Sequence, residues 1–185
     1  MIQPTKTRIH ATTYYQLPEY EEQTFIQLID GEVVIDMPPI LKHQAIVREL
    51  LLLVGLIARE IGGTAFTAPT EVYLDEHNIY EPDVLYLTPD TNCHMDEKRI
   101  IGAPELVIEV LSPGTAKYDR REKYQAYQQH GVNEYWIVDP VHDVVEVWQW
   151  EGKQFNRVGA FADDSTFESR PLKTTLQVTD ILNFY

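Results

Sequence analysis

The sequence predicts an α/β (α+β) domain: a mixed β-sheet flanked by helices and extended by β-hairpins. Three observations carry that expectation. Pairs of alternating apolar runs meet at short turns, once at Asp30-Gly31 and once at Glu151-Gly152-Lys153. From Ile40 to Ile61 the apolar residues recur at a helical period. Two short runs, ELVIEVL and EYWIVD, have the near-continuous apolar composition of strands buried on both faces.

Taken in order, residues 1–20, rich in Thr, Tyr and Pro, read as an N-terminal arm running into a short acidic stretch, PEYEEQ. FIQLI-DG-EVVIDM follows, an Asp-Gly flanked by alternating hydrophobics and hence a tight hairpin. Pro38-Pro39 ends its second strand. Ile46, Leu50, Leu53, Val54 and Ile57 mark the buried face of a long helix that Gly62-Gly63 closes. TAFTAPTEVYL and DVLYL read as strands joined by a polar connection, DEHNIYEP. ELVIEVL reads as a central strand interrupted by one charge, Glu109. Ser112-Pro113-Gly114-Thr115 turns the chain, Ala116 to His130 reads as a helix closed by Gly131, and EYWIVD as a further buried strand. DVVEVWQW-EGK-QFNRV is a second hairpin, and the tail through LQVTDILNFY reads as short strand or turn. No repeat or linker divides the chain, so residues 1–185 are expected to form a single domain.

A chain of 185 residues is long enough for a sizeable core. No apolar run approaches the roughly 18–20 residues that a membrane span needs. The basic residues near the N-terminus have no apolar stretch behind them, so no signal peptide is expected. The single cysteine, Cys93, excludes an internal disulfide and cannot make a cysteine-type zinc site alone. A soluble, cytoplasmic protein is the resulting expectation. The 29 acidic against 15 basic residues give a formal charge of −14, which counts against tight non-specific DNA binding. A local basic groove or a bound metal would be needed to reconcile the two.

Glu109 is the most informative residue. A carboxylate in the middle of an apolar strand loses its hydration, at a cost of several kcal/mol unless it is paired or metal-bound. The bland alternative places it on a less buried face, satisfied by a lysine. Asp83 begins DVLYL directly after Pro82, while Glu109 lies near the end of the next strand. If those strands are antiparallel neighbours, the two carboxylates converge. Two hard oxygen ligands with open positions suit Mg²⁺ (or Mn²⁺), an ion that polarises a phosphodiester and activates water. Lys123, in YDRREKYQAYQQHG, is the third candidate: an ammonium beside that water stabilises developing charge. Its alternative is a surface lysine paired with Asp119 at i, i+4 spacing. Arg120 and Arg121 beside it read either as phosphate contacts or as a solvated face.

EPDVLYL and APELVIEVLSPGTAKYDRREKYQAYQQHGVNEYWIVDP resemble the large bacterial putative restriction endonuclease family, formerly a domain of unknown function, within the PD-(D/E)XK nuclease superfamily. The resemblance runs from about IDGEVV through DVVEVWQW. It implies a restriction-endonuclease-like fold, with Pro82-Asp83 on the PD of the motif and Glu109 on its (D/E). Leu111 stands where the superfamily usually has its catalytic lysine, and the resemblance implies that Lys123 supplies that ammonium from the following helix. Glu32 and His43 also match family positions, and either could complete the site. Otherwise Glu32 is a hairpin-edge charge and His43 a locally bonded histidine at a helix start. Glu71 and Glu105 are weaker candidates. Tyr135, Trp136, Trp148 and Trp150 could form a base-stacking platform, or pack in the core or a subunit interface.

The resulting expectation is a Mg²⁺-dependent endonuclease hydrolysing DNA, with a homodimer or larger homo-oligomer expected. The alternative is a non-catalytic nucleic-acid- or protein-binding regulatory module that keeps the nuclease fold.

Overall fold

The computed structural model describes residues 8–22 and 25–182. The first seven residues of the predicted arm, Gln23 of the acidic stretch and the last three residues of the tail lie outside the described residues. Within the arm segment, α1 (Ala11–Tyr14) and α2 (Pro18–Glu22) are single-turn helices. Ala11 and Tyr14 are buried with Ile26, Leu28 and Ile79. The Tyr14 hydroxyl donates to the Ile26 carbonyl at 2.7 Å, so its polar end is satisfied where its ring is buried.

The predicted first hairpin is β1 (Ile26–Ile29) and β2 (Glu32–Ile35), paired antiparallel. Asp30 and Gly31 have φ of 51° and 75°, the left-handed backbone that a two-residue turn of this hand requires. α3 (Leu41–Ile61) follows and ends at left-handed Gly62. It buries His43, Ile46, Leu50, Val54 and Ala58 on one face.

From Thr64 to Tyr80 the structure departs from the sequence reading. TAFTAPTEVYL is two strands, β3 (Thr64–Thr67) and β4 (Glu71–Asp75), which lie in different sheets. The polar connection after them contains β5 (Asn78–Tyr80), all of whose residues are buried. Asn78 is tolerated there because its amide donates to the Asp75 carboxylate, and its oxygen accepts from Tyr80 and from the Asp30 N–H. A strand stabilised by satisfied polar groups carries no hydrophobic period to read.

Next come β6 (Val84–Leu87), the short β7 (His94–Met95) and β8 (Arg99–Ile101), and β9 (Leu106–Val110). The predicted second helix is α4 (Ala116–Tyr118), a π-helical turn (Asp119–Lys123) and α5 (Tyr124–His130), closed by left-handed Gly131. β10 (Glu134–Asp139) and the hairpin of β11 (Val144–Trp150) and β12 (Phe155–Ala162) match expectation. A small hairpin, β13 (Thr166–Ser169) and β14 (Thr174–Gln177), and α6 (Thr179–Leu182) close the described chain.

One sheet has the order β12-β11-β10-β9-β6-β3, with β9 and β10 parallel and its other neighbours antiparallel; it is mixed, as predicted. The second has the order β2-β1-β5-β4-β8-β7. Alternation along β9 divides the core. Leu106, Ile108 and Val110 pack with α3, whereas Val107 and Leu111 join the cluster that holds α5 and the second sheet. Glu109 therefore points to the α5 side. Among the described residues no helix is long and apolar enough to cross a membrane.

Candidate active site

β6 and β9 are antiparallel neighbours, with Val84 opposite Ile108 and Leu85 opposite Val107. The register brings Asp83, just ahead of β6, to the Glu109–Val110 end of β9. There Asp83 Oδ2 accepts the Val110 N–H at 2.7 Å. The antiparallel pairing that such a convergence requires is present, and Asp83 lies near enough for its charge to act on Glu109.

Glu109 is 3 % exposed and Lys123 2 %. Lys123 is thus a buried ammonium, not a surface lysine: its Nζ donates to Glu109 Oε1 at 2.9 Å and lies 3.2 Å from Asp119 Oδ1. The Tyr127 hydroxyl donates to the same Glu109 oxygen at 2.8 Å. The Tyr80 ring lies 5.7 Å from the ammonium. Burial pushes the Glu109 carboxyl up to about 8, against the pull of Lys123 and with a further push from Asp119 and Asp83. Asp119 is raised as well, first by burial. Burial works against the charge on Lys123, but Glu109 and Asp119 outweigh it and hold the amine above its ordinary range. Lys123 is therefore a fixed cation at neutral pH.

The π-helical turn delivers this geometry. Across Asp119–Lys123 it turns both Asp119 and Lys123 into the core while Arg120 and Arg121 stay exposed. The Tyr135 hydroxyl donates to the Asp119 carbonyl at 3.0 Å within the turn. π-Bulges recur at functional sites because they aim side chains that a regular helix would not. Sequence reasoning treats Asp119 only as a partner for Lys123; its place in the cluster is missed. The one signal for it was its position one turn before that lysine. Arg120 is held by Glu146 at 2.5 Å and faces Asp139 at 3.6 Å.

His43 reaches the same point from α3. Its Nε2 donates to the Val110 carbonyl at 3.0 Å and lies 3.4 Å from Asp83 Oδ2. Burial pushes the imidazole down, but the Asp83 carboxylate and the Val110 carbonyl outweigh it and leave the pKa above its ordinary value. Its Nδ1 is buried without a hydrogen-bond partner. Glu32 lines a cleft of about 520 Å³ with Lys117, Tyr118 and Glu122, and neither Asp83 nor Glu109 is among the residues that line it. Glu71 is buried among Tyr15, Tyr20 and Arg99, and Glu105 accepts the Thr88 N–H at 3.0 Å. Tyr135 and Trp136 are fully buried, and Trp148 packs edge-on to Tyr124 at 5.0 Å, so these aromatic residues serve the core.

The donor set fits a hard divalent cation. The bonds to Glu109 fall on Oε1 and the bond to Asp83 on Oδ2, so each carboxylate keeps one oxygen that these donors do not engage. Three acidic side chains, Asp83, Glu109 and Asp119, act on one lysine ammonium, so carboxyl groups outnumber lysine cations in the site. One or two carboxylates are the usual protein share of a Mg²⁺ shell, the rest being water or phosphate oxygen. Among the described residues no group of three or more His, Cys, Asp or Glu side chains is arranged to hold a metal ion, so Asp83 and Glu109 could hold one only as such a two-carboxylate site.

Comparison with known proteins agrees with this architecture. A solved structure from Anabaena variabilis ATCC 29413, described as a putative nuclease belonging to DUF820, superposes with a TM-score of 0.78 at 21 % identity. The match covers 95 % of this chain and 98 % of that one, and at this identity it establishes the shared fold. No curated protein sequence matches the chain. The model of the Uma2 family, described as "Putative restriction endonuclease", matches residues 11–180, and the chain belongs to that family.

Proposed function

We propose that the chain is a Mg²⁺- or Mn²⁺-dependent endonuclease that hydrolyses DNA phosphodiester bonds. The observation that carries the reading is the approach, at one end of β9, of half-buried Asp83 from just ahead of β6 to buried Glu109 and the Lys123 ammonium from the following helix. Family membership supports nuclease chemistry. Asp83 and Glu109 would hold the divalent ion, which supplies a Lewis acid that polarises the phosphodiester and acidifies the attacking water.

The remaining roles belong to the protein. Lys123 acts as a cation and not as a base, because Glu109 and Asp119 keep its amine protonated. It stabilises the negative charge that builds on the phosphorane oxygens during direct in-line attack by water, with no covalent enzyme intermediate. The common superfamily lysine position is Leu111, buried in the apolar cluster; Lys123 answers for it in space, since only the place of the ammonium matters. Tyr127 and Lys123 together fix the rotation of the Glu109 carboxylate, and the Val110 N–H fixes that of Asp83. His43 touches Asp83 from behind and is a positioning residue.

A second reading, a non-catalytic binding or regulatory module on the same fold, is favoured by one observation. The formal charge of −14 opposes phosphate binding outside a local site. Titration calorimetry with Mg²⁺ and Mn²⁺, run beside a plasmid-nicking assay, separates the two. The nuclease reading expects metal binding to disappear in Asp83→Ala and Glu109→Ala, and nicking to disappear in these and in Lys123→Met. A folded wild type that binds neither ion, or variants that bind as wild type does, would leave the second reading standing.

A further inference from the structure

α3 has a second apolar face. Leu52 and Leu56, one turn apart, are 55 % and 62 % exposed, and Leu41 extends their line toward the start of the helix. The opposite face, with Leu50 and Val54, is already buried in the core, so these leucines are not needed to hold the helix to its own sheet. Gly55 lies between them, in a helix interior where glycine is unfavourable. A Cβ there would meet nothing within 4 Å, so no neighbour in the chain accounts for the glycine. It leaves the helix backbone open to close approach.

The charges around the leucines are self-complementary. Arg48 and Glu49 precede Leu52 by about one turn, and Arg59 and Glu60 follow Leu56 by about one turn. Arg48 donates to Glu49 at 2.9 Å, an exposed and readily exchanged pair. Arg59 and Glu60 make no ion pair among the described residues.

We propose that two copies of this chain associate through α3, the helices antiparallel about a two-fold axis that crosses the exposed face midway between Leu52 and Leu56. That symmetry sets Leu52 of one copy against Leu56 of the other, Glu49 against Arg59 and Arg48 against Glu60. Parallel pairing would instead oppose Arg48 to Arg48, Glu49 to Glu49 and Arg59 to Arg59, so the pattern selects one orientation as well as one partner. Beside the leucines, Asp180 of α6 lines a shallow groove with Leu53, which offers a seat for the partner's leucine and a further acid for its Arg59. The acidic rim disfavours nucleic acid as the occupant. His43 lies on the opposite face of α3, turned to the core. The dimer therefore leaves both candidate active sites uncovered and does not depend on the nuclease reading.

Size-exclusion chromatography with light scattering on the full chain, from about 1 to 100 μM, tests the inference. Wild type is expected at the dimer mass. Leu52→Glu and Leu56→Glu, both at exposed positions, should raise the dissociation constant by roughly 100-fold while circular dichroism stays at the wild-type spectrum and the melting temperature loses its dependence on protein concentration. Arg59→Glu should also weaken the dimer, and Glu49→Arg combined with Arg59→Glu should restore it. A monomeric wild type, a dimer that survives Leu52→Glu, or a charge reversal that the double exchange does not rescue overturns the pairing.

Discussion

Glu71 and Glu109 are both buried strand carboxylates, and they are answered in opposite ways. At Glu71 the Tyr15 hydroxyl donates to Oε1 at 2.8 Å and the Tyr20 hydroxyl approaches Oε2 at 3.3 Å. Arg99 lies 3.3 Å from Oε1 and stacks 4.1 Å above the Tyr15 ring. Donors reach both oxygens, and the cluster ties α1 and α2 to β4. At Glu109 two donors crowd onto one oxygen, and two more carboxylates, Asp83 and Asp119, stand close by. Burial raises the carboxyl pKa in both places. Glu134 makes a third case, fully buried yet served by the Trp136 indole, the Gln149 amide and the Arg170 N–H. Burial of an acid is thus common in this fold. What sets Glu109 apart is a surplus of carboxyl groups over cations, beside oxygens left open.

The hardest way to break that contrast is to remove the cation. Lys123→Met leaves Glu109 and Asp119 buried without their ammonium, and the expected loss is about 3–5 kcal/mol in urea unfolding. Adding Glu109→Gln to that variant should return part of the loss, since one of the stranded charges is gone. A Lys123→Met protein as stable as wild type would mean that the carboxylates take up protons without cost, and the charge argument would fall.

Glu71→Ala is the matched change on the other side. It strips Tyr15, Tyr20 and Arg99 of their shared acceptor and should cost about 2–3 kcal/mol. Metal binding measured by calorimetry should stay at the wild-type value. A loss of metal affinity there would join the two clusters into one functional unit.

How much of this was legible in the sequence follows from what carries each feature. Asp30-Gly31 and Gly62 announce themselves because left-handed backbone demands those residue types. Asp83 and Glu109 could be paired in advance because the argument needed only two buried strands and one orientation. β5 could not, since Asn78 is buried through bonds to Asp75, Tyr80 and Asp30 that no local pattern encodes. Nor could the splitting of TAFTAPTEVYL between two sheets, a fact about partners and not about the segment. Lys123 was readable as a candidate but not as a buried one. From Ala116 to His130 the pattern is that of a uniform helix, and the π-helical turn meets a tertiary partner, the Tyr135 hydroxyl on the Asp119 carbonyl. Glu32, placed by resemblance alone, lines the cleft that also holds Lys117, Tyr118 and Glu122.

A smaller effect sharpens the Glu109 side. His43 meets Asp83 through Nε2, and a group that orients a metal-binding carboxylate typically changes metal affinity by roughly 10–100-fold when removed. His43→Ala should weaken Mg²⁺ binding toward the lower end of that range. His43→Gln, which can place an amide nitrogen near the lost Nε2, should recover part of it. Equal affinities in all three proteins would reduce His43 to a packing residue of α3.

The least effect is expected where the two clusters meet. Glu81, two residues before Asp83, feels Glu71 and Asp36 on one side and Lys123 on the other, and its Oε2 is buried without a hydrogen-bond partner. Burial, then Glu71, pushes its carboxyl from 4.5 up to about 8. Between those values the folded protein holds a proton that the unfolded chain has released. The stability contribution is therefore full below about pH 4.5 and is lost as pH rises through about 8. Glu81→Gln keeps the shape and removes the titration, so its advantage over wild type should grow across that window and level off above it. Because the side chain is partly exposed, the gain at high pH should be only about 1 kcal/mol. Glu109 titrates in the same region, so the difference between wild type and variant is the informative quantity, read from urea midpoints at several pH values. A difference that does not change with pH would mean that Glu81 is ionised and hydrated like a surface acid. The excess charge would then belong to the Asp83–Glu109–Asp119 cluster alone.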